Sequence, residues 1–542
     1  MKEKLLNKIV TGIALTSVAG MSLAGCGAST ASSTAPAAES TEAASAENTK
    51  VETTASSGGH THHLKLFVDE TWWPYQAWEG RIPDKVCDIL DTDIDVTVAA
   101  DTTALSMAIA SGELGDLVVS DTFARMADSN VSYDIYELAK QYNVELPFDP
   151  ITKLVNTAND GHVYTVLCGY SPDFYMKKYP KAVYEGPGLV VRSDIYDAIG
   201  SPEIKTIDDL EAMFDQVKEK YPDVIPFVYN TTHDNRFMRI LCGCTPNESG
   251  FVDVDGVAKP FIYDPAWKDY YLLMNKWYNA GYMSDENFAF TADDSDKEYM
   301  VAGKVFAIAK YSDTESDMNK ALSEAGITDY KTIQLYDILD TQPGAKFKFS
   351  SVGWRGIYIP KSCTDPEAAI NFLNFCYSPD GMRLLIWGEE GVDWKWNEDK
   401  TVPVLNYSWD SPNTDDGMKY WGWMTHDGVT NTLPAAGDDS SPTYKARAAL
   451  TNIIETNPVL ALIRLNPDSE EQTIMTNLTE LESSSFVSII TAPSAEECEN
   501  LYNKMIETAD QLGGQKLVKY AAPIYTDTKA KYDELNASYT GE

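Results

Sequence analysis

The sequence predicts an α/β protein built from two lobes, and three observations support this prediction. Roughly 480 residues remain after an amino-terminal leader and a polar segment, too many for one hydrophobic core. Apolar residues make up 44% of the sequence, as in a packed globular protein. Strand and helix patterns alternate where this body begins, and that order is typical of a parallel sheet.

The first 25 residues have the pattern of a secretory signal. Three lysines lie within the first eight residues, and Ile9–Val18 is an apolar run too short to span a membrane. Small residues then lead to Cys26 in the tetrad Leu-Ala-Gly-Cys. This order resembles a bacterial lipoprotein signal, in which residues 1–25 are removed and Cys26 carries acyl chains such as palmitate. The alternative is an ordinary signal peptide with an incidental cysteine.

Residues 26–63 are predicted to be the lipidated cysteine followed by a disordered linker. Ser, Thr, Ala, Glu and Gly dominate this segment, so it cannot bury enough apolar surface to offset its ordering entropy. The segment ends with His60, His62 and His63. These side chains form either a metal site or a solvated polar cluster. We favour the cluster and predict no metal, because no cysteine or carboxylate stands beside them at ligand spacing.

Charge and cysteine content exclude several classes of protein. The formal net charge is -39 with no basic block, so nucleic acid and anionic lipid head groups are poor partners. Beyond Cys26 the number of cysteines is odd, which argues against a full disulfide framework. We interpret most of them as small buried apolar residues. They are Cys87, Cys168, Cys242, Cys244, Cys363, Cys376 and Cys498.

The body opens with the elements of a parallel sheet. His63–Val68 and Ile94–Ala99 read as strands, Thr103–Ser111 reads as a helix, and Asp116–Ser120 reads as a third strand. The segment Asp69–Tyr75, which contains Trp-Trp-Pro, reads as the loop at the end of the first strand.

The middle of the chain continues this alternation. Val163–Leu167, Leu189–Arg192 and Lys304–Ala309 are predicted strands. A capping box at Thr206 begins an amphipathic helix, and Trp267–Asn279 is a second one.

The last part mixes strands with helices that have clear starts. Ser350–Ile359 is a predicted strand, and helices begin at Pro366 and at Ser378. A short strand is predicted at Phe486–Ile490, followed by a helix over Ala495–Leu512.

Several segments occur together in an order that resembles a known family. Besides the Cys26 tetrad, the linker and the Trp-Trp-Pro loop, they are Ala110–Val119, Gly188–Asp194, Thr206–Phe214, Pro366–Phe375 and Trp387–Gly391. The set resembles the family 1 extracellular solute-binding lipoproteins of carbohydrate ABC importers. Some relatives carry a calcium loop; its nearest match, Asp253–Gly256, lacks the spaced ligands and closing glutamate and is predicted to be a hairpin turn.

The resemblance implies a periplasmic-binding-protein-like fold of type II, with sugar bound between two lobes and no catalysis or cofactor. It also implies delivery to an ABC permease by a lipid-anchored monomer at the outer face of the bacterial cytoplasmic membrane. We expect residues 64–180 with 355–450 to form the first lobe, and residues 181–354 with 451–542 to form the second.

Sugar chemistry selects the candidate site residues. Aromatic rings cover the flat C–H faces of sugars, while carboxylate, amide and guanidinium groups pair with their hydroxyls. The sequence has 12 Trp and 31 Tyr, and loops after strands are where such groups would meet in an open sheet. The candidates are Asp69, Glu70, Trp72, Trp73, Asp121, Asn230, Asp234, Arg236, Trp354, Arg355, Trp394, Trp421 and Trp423.

Most of the candidates have a structural alternative. Trp72 or Trp73 could pack beneath its loop, Asp121 could cap a helix, and residues 230–236 could form a surface loop. The three late tryptophans among the candidates could belong to the core.

Two other classes of function stay open at this point. A glycoside hydrolase needs two opposed carboxylates, and the 82 acidic residues supply too many pairs to be informative. No nucleophile elbow, zinc helix, phosphate loop or dinucleotide fingerprint is present in the sequence. A sensory or adhesive carbohydrate-binding lipoprotein is the second alternative.

Overall fold

A computed structural model describes residues 59–229, 236–244, 250–290, 295–409 and 414–538. The strands of these residues are β1 (His62–Val68), β2 (Thr92–Val98), β3 (Leu117–Ser120), β4 (Pro187–Arg192), β5 (Ile225–Tyr229), β6 (Phe251–Val254), β7 (Val257–Pro260), β8 (Val305–Tyr311), β9 (Thr332–Leu335), β10 (Phe347–Phe349), β11 (Gly356–Tyr358), β12 (Trp394–Trp396), β13 (Pro403–Leu405) and β14 (Ile454–Thr456).

The α-helices of the same residues fall between and after these strands. They are α1 (Arg81–Leu90), α2 (Ala104–Ser111), α3 (Phe123–Met126), α4 (Ile135–Tyr142), α5 (Pro150–Asn156), α6 (Asp173–Lys178), α7 (Ser193–Ala198), α8 (Ile207–Lys220), α9 (Arg236–Leu241), α10 (Ala266–Asn279), α11 (Ser295–Val301), α12 (Thr314–Glu324), α13 (Asp337–Thr341), α14 (Pro366–Tyr377), α15 (Pro379–Trp387), α16 (Gly428–Thr432), α17 (Pro442–Asn452), α18 (Glu470–Ile490), α19 (Ala495–Gln511) and α20 (Gly514–Ser538). No helix in these ranges is both long and apolar enough to cross a lipid bilayer.

The first sheet has the strand order β11-β3-β1-β2. Strands β1, β2 and β3 run parallel, and β11 joins β3 in the antiparallel direction. Leu64, Leu66 and Val68 alternate along β1 and are buried, which is why this strand holds the centre of the sheet.

The second sheet has the order β5-β8-β4-β9, in which β5 and β8 are parallel and β4 is antiparallel to both of its neighbours. Each sheet has its own hydrophobic core. A helical layer formed by α18, α19 and α20 packs onto the second of these cores, through residues such as Leu478, Tyr502 and Tyr525.

Three of the segments that carry the chain between the two cores meet. They lie between Val166 and Leu167, between Val352 and Ile357, and between Met424 and Ala446. The Cys168 amide donates to the Arg355 carbonyl at 2.7 Å, and the Trp354 amide donates to the Cys168 carbonyl at 3.2 Å. The Gly169 amide donates to the His426 carbonyl at 2.7 Å. Backbone hydrogen bonds therefore join the three crossings.

Most predicted elements are confirmed, and the predicted caps explain where helices begin. Thr206 caps α8 in a full capping box, Asp365 caps α14, and Ser378 caps α15. Asp253–Gly256 forms the turn of the β6–β7 hairpin, as predicted, with positive φ at Asp255 and Gly256.

Three predicted strands are wrong. Val163–Leu167 is buried but has no strand ladder, because its polar groups bond to the Ile135 amide and the Asn156 side chain. Ser350–Ile359 divides into a loop and the short strand β11, because the loop crosses between the cores. Phe486–Ile490 is the last turn of α18, where its apolar run lines the helix face that packs on the second sheet's core.

The three amino-terminal histidines do not form the solvated cluster that we predicted. His62 and His63 lie in β1, so the folded body begins before residue 64. His60 bonds to Asp93 at 2.7 Å, and each of the other two histidines bonds to a different aspartate. The Asp93 hydrogen bond raises the pKa of His60. His62 and His63 bond to different aspartates because adjacent strand residues point to opposite faces of the sheet.

The seven cysteines in the described residues are free, and all but Cys242 are buried. Burial raises the pKa of the Cys168 thiol to about 11. The prediction that these residues act as small apolar side chains is confirmed by this burial.

Candidate functional site

Three loops reach one edge of the first sheet. β1 ends at Val68, which pairs with Val119, and Gly356 at the start of β11 pairs with Ser120. The loop after β1, the end of β3 and the crossing before β11 are therefore neighbours. This arrangement follows from parallel strands, whose carboxyl ends lie at the same edge of a sheet.

A buried ion pair lies at the centre of this edge. Arg355 is fully buried, and its Nε donates to Glu70 Oε1 at 2.8 Å. Glu70 Oε2 accepts from the Trp72 indole at 2.8 Å, so both carboxylate oxygens have partners. Burial raises the pKa of Glu70, with Arg355 opposing the shift, and burial lowers the pKa of Arg355. The pair fixes the loop after β1 against the crossing segment.

Tryptophan rings enclose the Arg355 guanidinium. Its central carbon lies 3.8 Å from the Trp354 ring centroid, 5.0 Å from that of Trp72 and 4.9 Å from that of Trp73. Within the described part of the chain, Nη1 and Nη2 are buried and have no hydrogen-bond partner. The electron-rich ring faces take the place of acceptors for these two nitrogens.

Two of these rings are open to solvent. Trp72 is 48% exposed and Trp354 is 42% exposed. The Trp423 ring, which is partly buried, lies 6.2 Å from that of Trp72. We call Trp72, Trp354 and Trp423 the tryptophan platform.

The remaining tryptophans near the platform support it from below. Trp73 is 2% exposed and packs 5.7 Å from Trp421, which is fully buried and lies 4.6 Å from Trp78. Neither Trp73 nor Trp421 has a ring face left for a ligand in this conformation. Both belong to the core of the first sheet.

Polar groups stand beside the platform. Asp69 accepts from the Ser120 hydroxyl at 3.0 Å, and burial raises the pKa of Asp69 despite this bond. Asp121 is exposed and acts electrostatically on Asp69, Glu70 and Arg355. The edge thus combines exposed ring faces with carboxylate oxygens.

The structure does not bring every predicted site residue to this edge. Trp394 is 4% exposed and packs against Trp387 and Trp396 in a separate core, because its indole donates to the Gly388 carbonyl. Arg236 begins α9, with its guanidinium 5.8 Å from the Tyr311 ring. Asn230 and Asp234 lie outside the described residues.

A cavity of about 630 Å³ opens beside the crossing segment. Its walls come from distant parts of the chain and include Phe123, Asn159, Ser351, Gly353 and Arg464. Gly353 directly precedes Trp354 of the platform, so the cavity and the platform share this segment. The volume falls within the range of sites that bind small molecules.

Arg464 closes the cavity on the side of the second core. It donates to the carbonyls of Val155 and Thr157 and lies 4.4 Å from the Phe123 ring. Burial lowers its pKa to about 10. Sequence reasoning missed this residue, because a single arginine in a loop has no pattern and its partners lie about 300 positions earlier.

Comparison with known proteins places the chain in a family. Residues 91–387 match the family of bacterial extracellular solute-binding proteins, and this match covers more than half of the chain. The protein belongs to that family, as the sequence motifs indicated.

One relative among curated proteins is a carbohydrate ABC transporter substrate-binding protein of Streptococcus pneumoniae serotype 4. It is 24% identical over 336 residues, and the alignment spans 59% of this chain and 61% of the relative. The chain therefore covers about three fifths of this relative's length.

Solved structures share the fold. The HMO-binding solute-binding protein of Bifidobacterium longum infantis has a TM-score of 0.62 at 14% identity, covering 87% of this chain and 99% of that one. The substrate-binding protein FusA of S. pneumoniae, in complex with kestose, has a TM-score of 0.62 at 15% identity, covering 86% and 100%. The predicted two-lobed α/β fold of solute-binding proteins is confirmed.

Proposed function

We propose that the protein captures a carbohydrate in the cleft between its lobes and delivers it to an ABC permease. The observation that carries this proposal is the tryptophan platform, in which two exposed indole rings flank a buried guanidinium at the edge of a sheet. Large exposed rings are costly on a protein surface unless they meet a partner.

The platform fits the chemistry of a sugar. The open faces of Trp72 and Trp354 suit the C–H faces of a pyranose or furanose ring. Asp69 and Asp121 offer acceptors for hydroxyl groups at the ring's rim. Glu70 and Arg355 hold the rings in place, so that little side-chain entropy is lost when a ligand binds.

The neighbouring cavity supports an oligosaccharide as the ligand. One sugar ring would occupy the platform, while about 630 Å³ of further space lies along the same crossing segment. Its walls carry side-chain amides at Asn159 and Asn466 and a carboxylate at Asp160. These groups suit hydroxyls of additional residues.

The charges at the platform favour a neutral sugar. Asp69, Glu70 and Asp121 would repel the carboxylate of an acidic sugar. Arg355 cannot bind that carboxylate, because both of its terminal nitrogens are buried against the rings.

The position of the platform suggests how binding is coupled to lobe closure. Trp354 and Arg355 lie on a segment that crosses between the cores, and backbone hydrogen bonds tie this segment to the other crossings. Tyr420, beside the platform, has its pKa raised by burial and by the charge of Asp317 on α12, a helix that packs against the second sheet. A ligand that contacts both sides would favour the closed state.

The names of relatives agree with this proposal. One of the two solved structures is named as HMO-binding, the other holds kestose, and the curated relative is named for carbohydrate transport.

A thermal-shift screen tests the proposal. Kestose and other neutral oligosaccharides are compared with alginate oligosaccharides, which carry carboxylates. We expect at least one neutral oligosaccharide to raise the melting temperature, because a ligand that binds only the folded state stabilises it by mass action. Stabilisation by the acidic oligosaccharides alone would contradict the neutral site, and no shift with any sugar would contradict carbohydrate binding.

We further propose that Cys26 carries the lipid anchor that keeps the receptor beside its permease. Replacing Cys26 with alanine removes the acceptor of the acyl chains, and we expect the protein to leave the membrane fraction and appear in the medium. Cell fractionation followed by immunoblotting measures this. Full retention of the variant on membranes would contradict lipidation at this residue; Cys87→Ala is the matched control and should stay attached.

A further inference from the structure

His426 lies where the third crossing segment passes the platform. It is 4% exposed and sits between a 3-10 turn at Trp421–Met424 and the start of α16. Its backbone carbonyl accepts from the Gly169 amide. Because His426 is buried and its backbone is hydrogen-bonded to another crossing segment, the position of this residue is fixed.

The hydrogen bond of one ring nitrogen assigns the tautomer of His426. Nδ1 lies 3.3 Å from the Gly422 carbonyl oxygen, and a carbonyl oxygen only accepts hydrogen bonds. Nδ1 therefore carries the proton, and Nε2 presents a lone pair. Burial, with a smaller effect of the nearby positive charge of Arg355, lowers the pKa of His426 to about 4, although the Gly422 hydrogen bond opposes the shift. The ring is neutral above about pH 5, one pH unit above that pKa.

Nε2 faces a small notch beside Trp354. Gly169 has a φ of 92° and no side chain; a Cβ placed there would lie 3.9 Å from His426 Nε2 and 3.4 Å from Trp354 Cδ1. These are ordinary van der Waals distances, so the missing side chain leaves room for about one small group between the two rings. No protein hydrogen-bond partner for Nε2 is found in the part of the chain that the structure describes.

We propose that His426 contacts the ligand: its Nε2 accepts a hydrogen bond from a hydroxyl group of a sugar ring that stacks on Trp354. This inference rests on the proposed carbohydrate function and adds to it a specificity determinant. Above about pH 5 the ring is a neutral acceptor, which selects a hydroxyl donor over a carboxylate oxygen or an ether oxygen at that position of the sugar. A sugar that lacks this hydroxyl would leave Nε2 unpaired in the closed cleft, which is costly.

The variants His426→Phe and His426→Gln separate this role from packing. Phenylalanine keeps the ring and loses the acceptor, while glutamine can place its amide oxygen near the position of Nε2. By calorimetry with the oligosaccharide that stabilises the wild type most, we expect H426F to lose about tenfold in affinity. H426Q should recover most of that loss. H63F is the matched control and should bind as the wild type does, because His63 lies near the start of β1, at the opposite edge of the first sheet from the platform.

The outcomes distinguish the inference from the function on which it rests. Equal affinity of H426F and the wild type overturns the role of His426 and leaves carbohydrate binding intact. If no oligosaccharide of the screen binds the wild type, the proposed function fails and the inference fails with it.

A measurement on the unmutated protein covers the case in which H426F does not fold. In ¹⁵N-histidine-labelled protein, we expect His426 to be protonated at Nδ1 and its Nε2 resonance to shift when the oligosaccharide binds. Protonation at Nε2 in the free protein, or an Nε2 resonance that the ligand leaves unchanged, overturns the inference.

Discussion

Replacing Trp72 and Trp354 together with alanine is expected to abolish most of the affinity for the oligosaccharide. Each ring offers a large rigid face at low entropy cost, and tryptophans at the centre of a binding site contribute about 2 kcal/mol or more each. The pair should therefore cost about 4 kcal/mol or more, which is roughly several hundred-fold in the dissociation constant. Titration calorimetry measures this directly.

The exposure of the indole rings decides which tryptophans are replaced. Both rings are nearly half exposed, but they cover the Arg355 guanidinium and the Trp72 indole donates to Glu70, so we expect a moderate loss of stability. Denaturant unfolding of the double variant therefore accompanies the calorimetry, and affinities are compared where both proteins are folded. Trp73 is buried, and replacing it would report on the core instead. Trp396→Ala is the matched control, because Trp396 packs in a separate cluster and should not affect binding. Wild-type affinity in the double variant would rule out the platform as the binding site.

Replacing Arg355 with alanine is expected to destabilise the protein strongly. The change leaves the buried carboxylate of Glu70 without its counter-ion and removes the group that three indole rings enclose. Breaking a buried ion pair at one partner costs about 3–5 kcal/mol. Denaturant unfolding of the two proteins measures the difference.

The pH dependence of the difference in unfolding free energy between Arg355→Ala and the wild type identifies the cause of the destabilisation. Without Arg355, the pKa of Glu70 in the folded state rises further above its unfolded value, so the folded state binds a proton more tightly than the unfolded state. The variant therefore gains stability relative to the wild type as the pH falls, and the difference in their free energies of unfolding becomes smaller. Arg355→Lys keeps the charge but loses the planar stacking, so its stability should lie between that of the wild type and that of Arg355→Ala. If the stability difference between Arg355→Ala and the wild type does not change with pH, the loss of stability comes from lost packing and not from the unpaired carboxylate.

The sequence located the edge of the site but not its internal arrangement. The loop after β1 was predictable, because strand periodicity ends at Val68 and aromatic and acidic residues come directly after it. The pairing of Glu70 with Arg355 joins positions 285 residues apart, and no local pattern encodes such a contact. Which of two adjacent tryptophans faces solvent depends on the path of the loop, which periodicity does not describe.

Two of the three failed strand predictions share one physical cause. Val163–Leu167 and Phe486–Ile490 are short apolar runs, and burial alone produces such runs in strands, in helices and in irregular crossings. Tertiary contacts decide between these structures. Helices with caps, such as those begun by Thr206 and Asp365, were predictable because their start is encoded within four residues.

Trp394 and Trp421 illustrate the limit for site residues. Both stand near acidic residues in the sequence, as Trp72 does, yet both are covered by neighbouring rings and helices. Composition near a tryptophan does not indicate whether a ring face is free. Only the packing of the first sheet's core and of the β12–β13 hairpin distinguishes these residues from the platform.

A crystal structure of the protein with the oligosaccharide that stabilises it most is the most direct test of capture at the platform. We expect a sugar ring stacked on Trp354 or Trp72, with a carboxylate of Asp69 or Asp121 within hydrogen-bond distance of its hydroxyls. An oligosaccharide bound elsewhere, with both indole faces still open to solvent, would contradict the tryptophan platform as the site of capture.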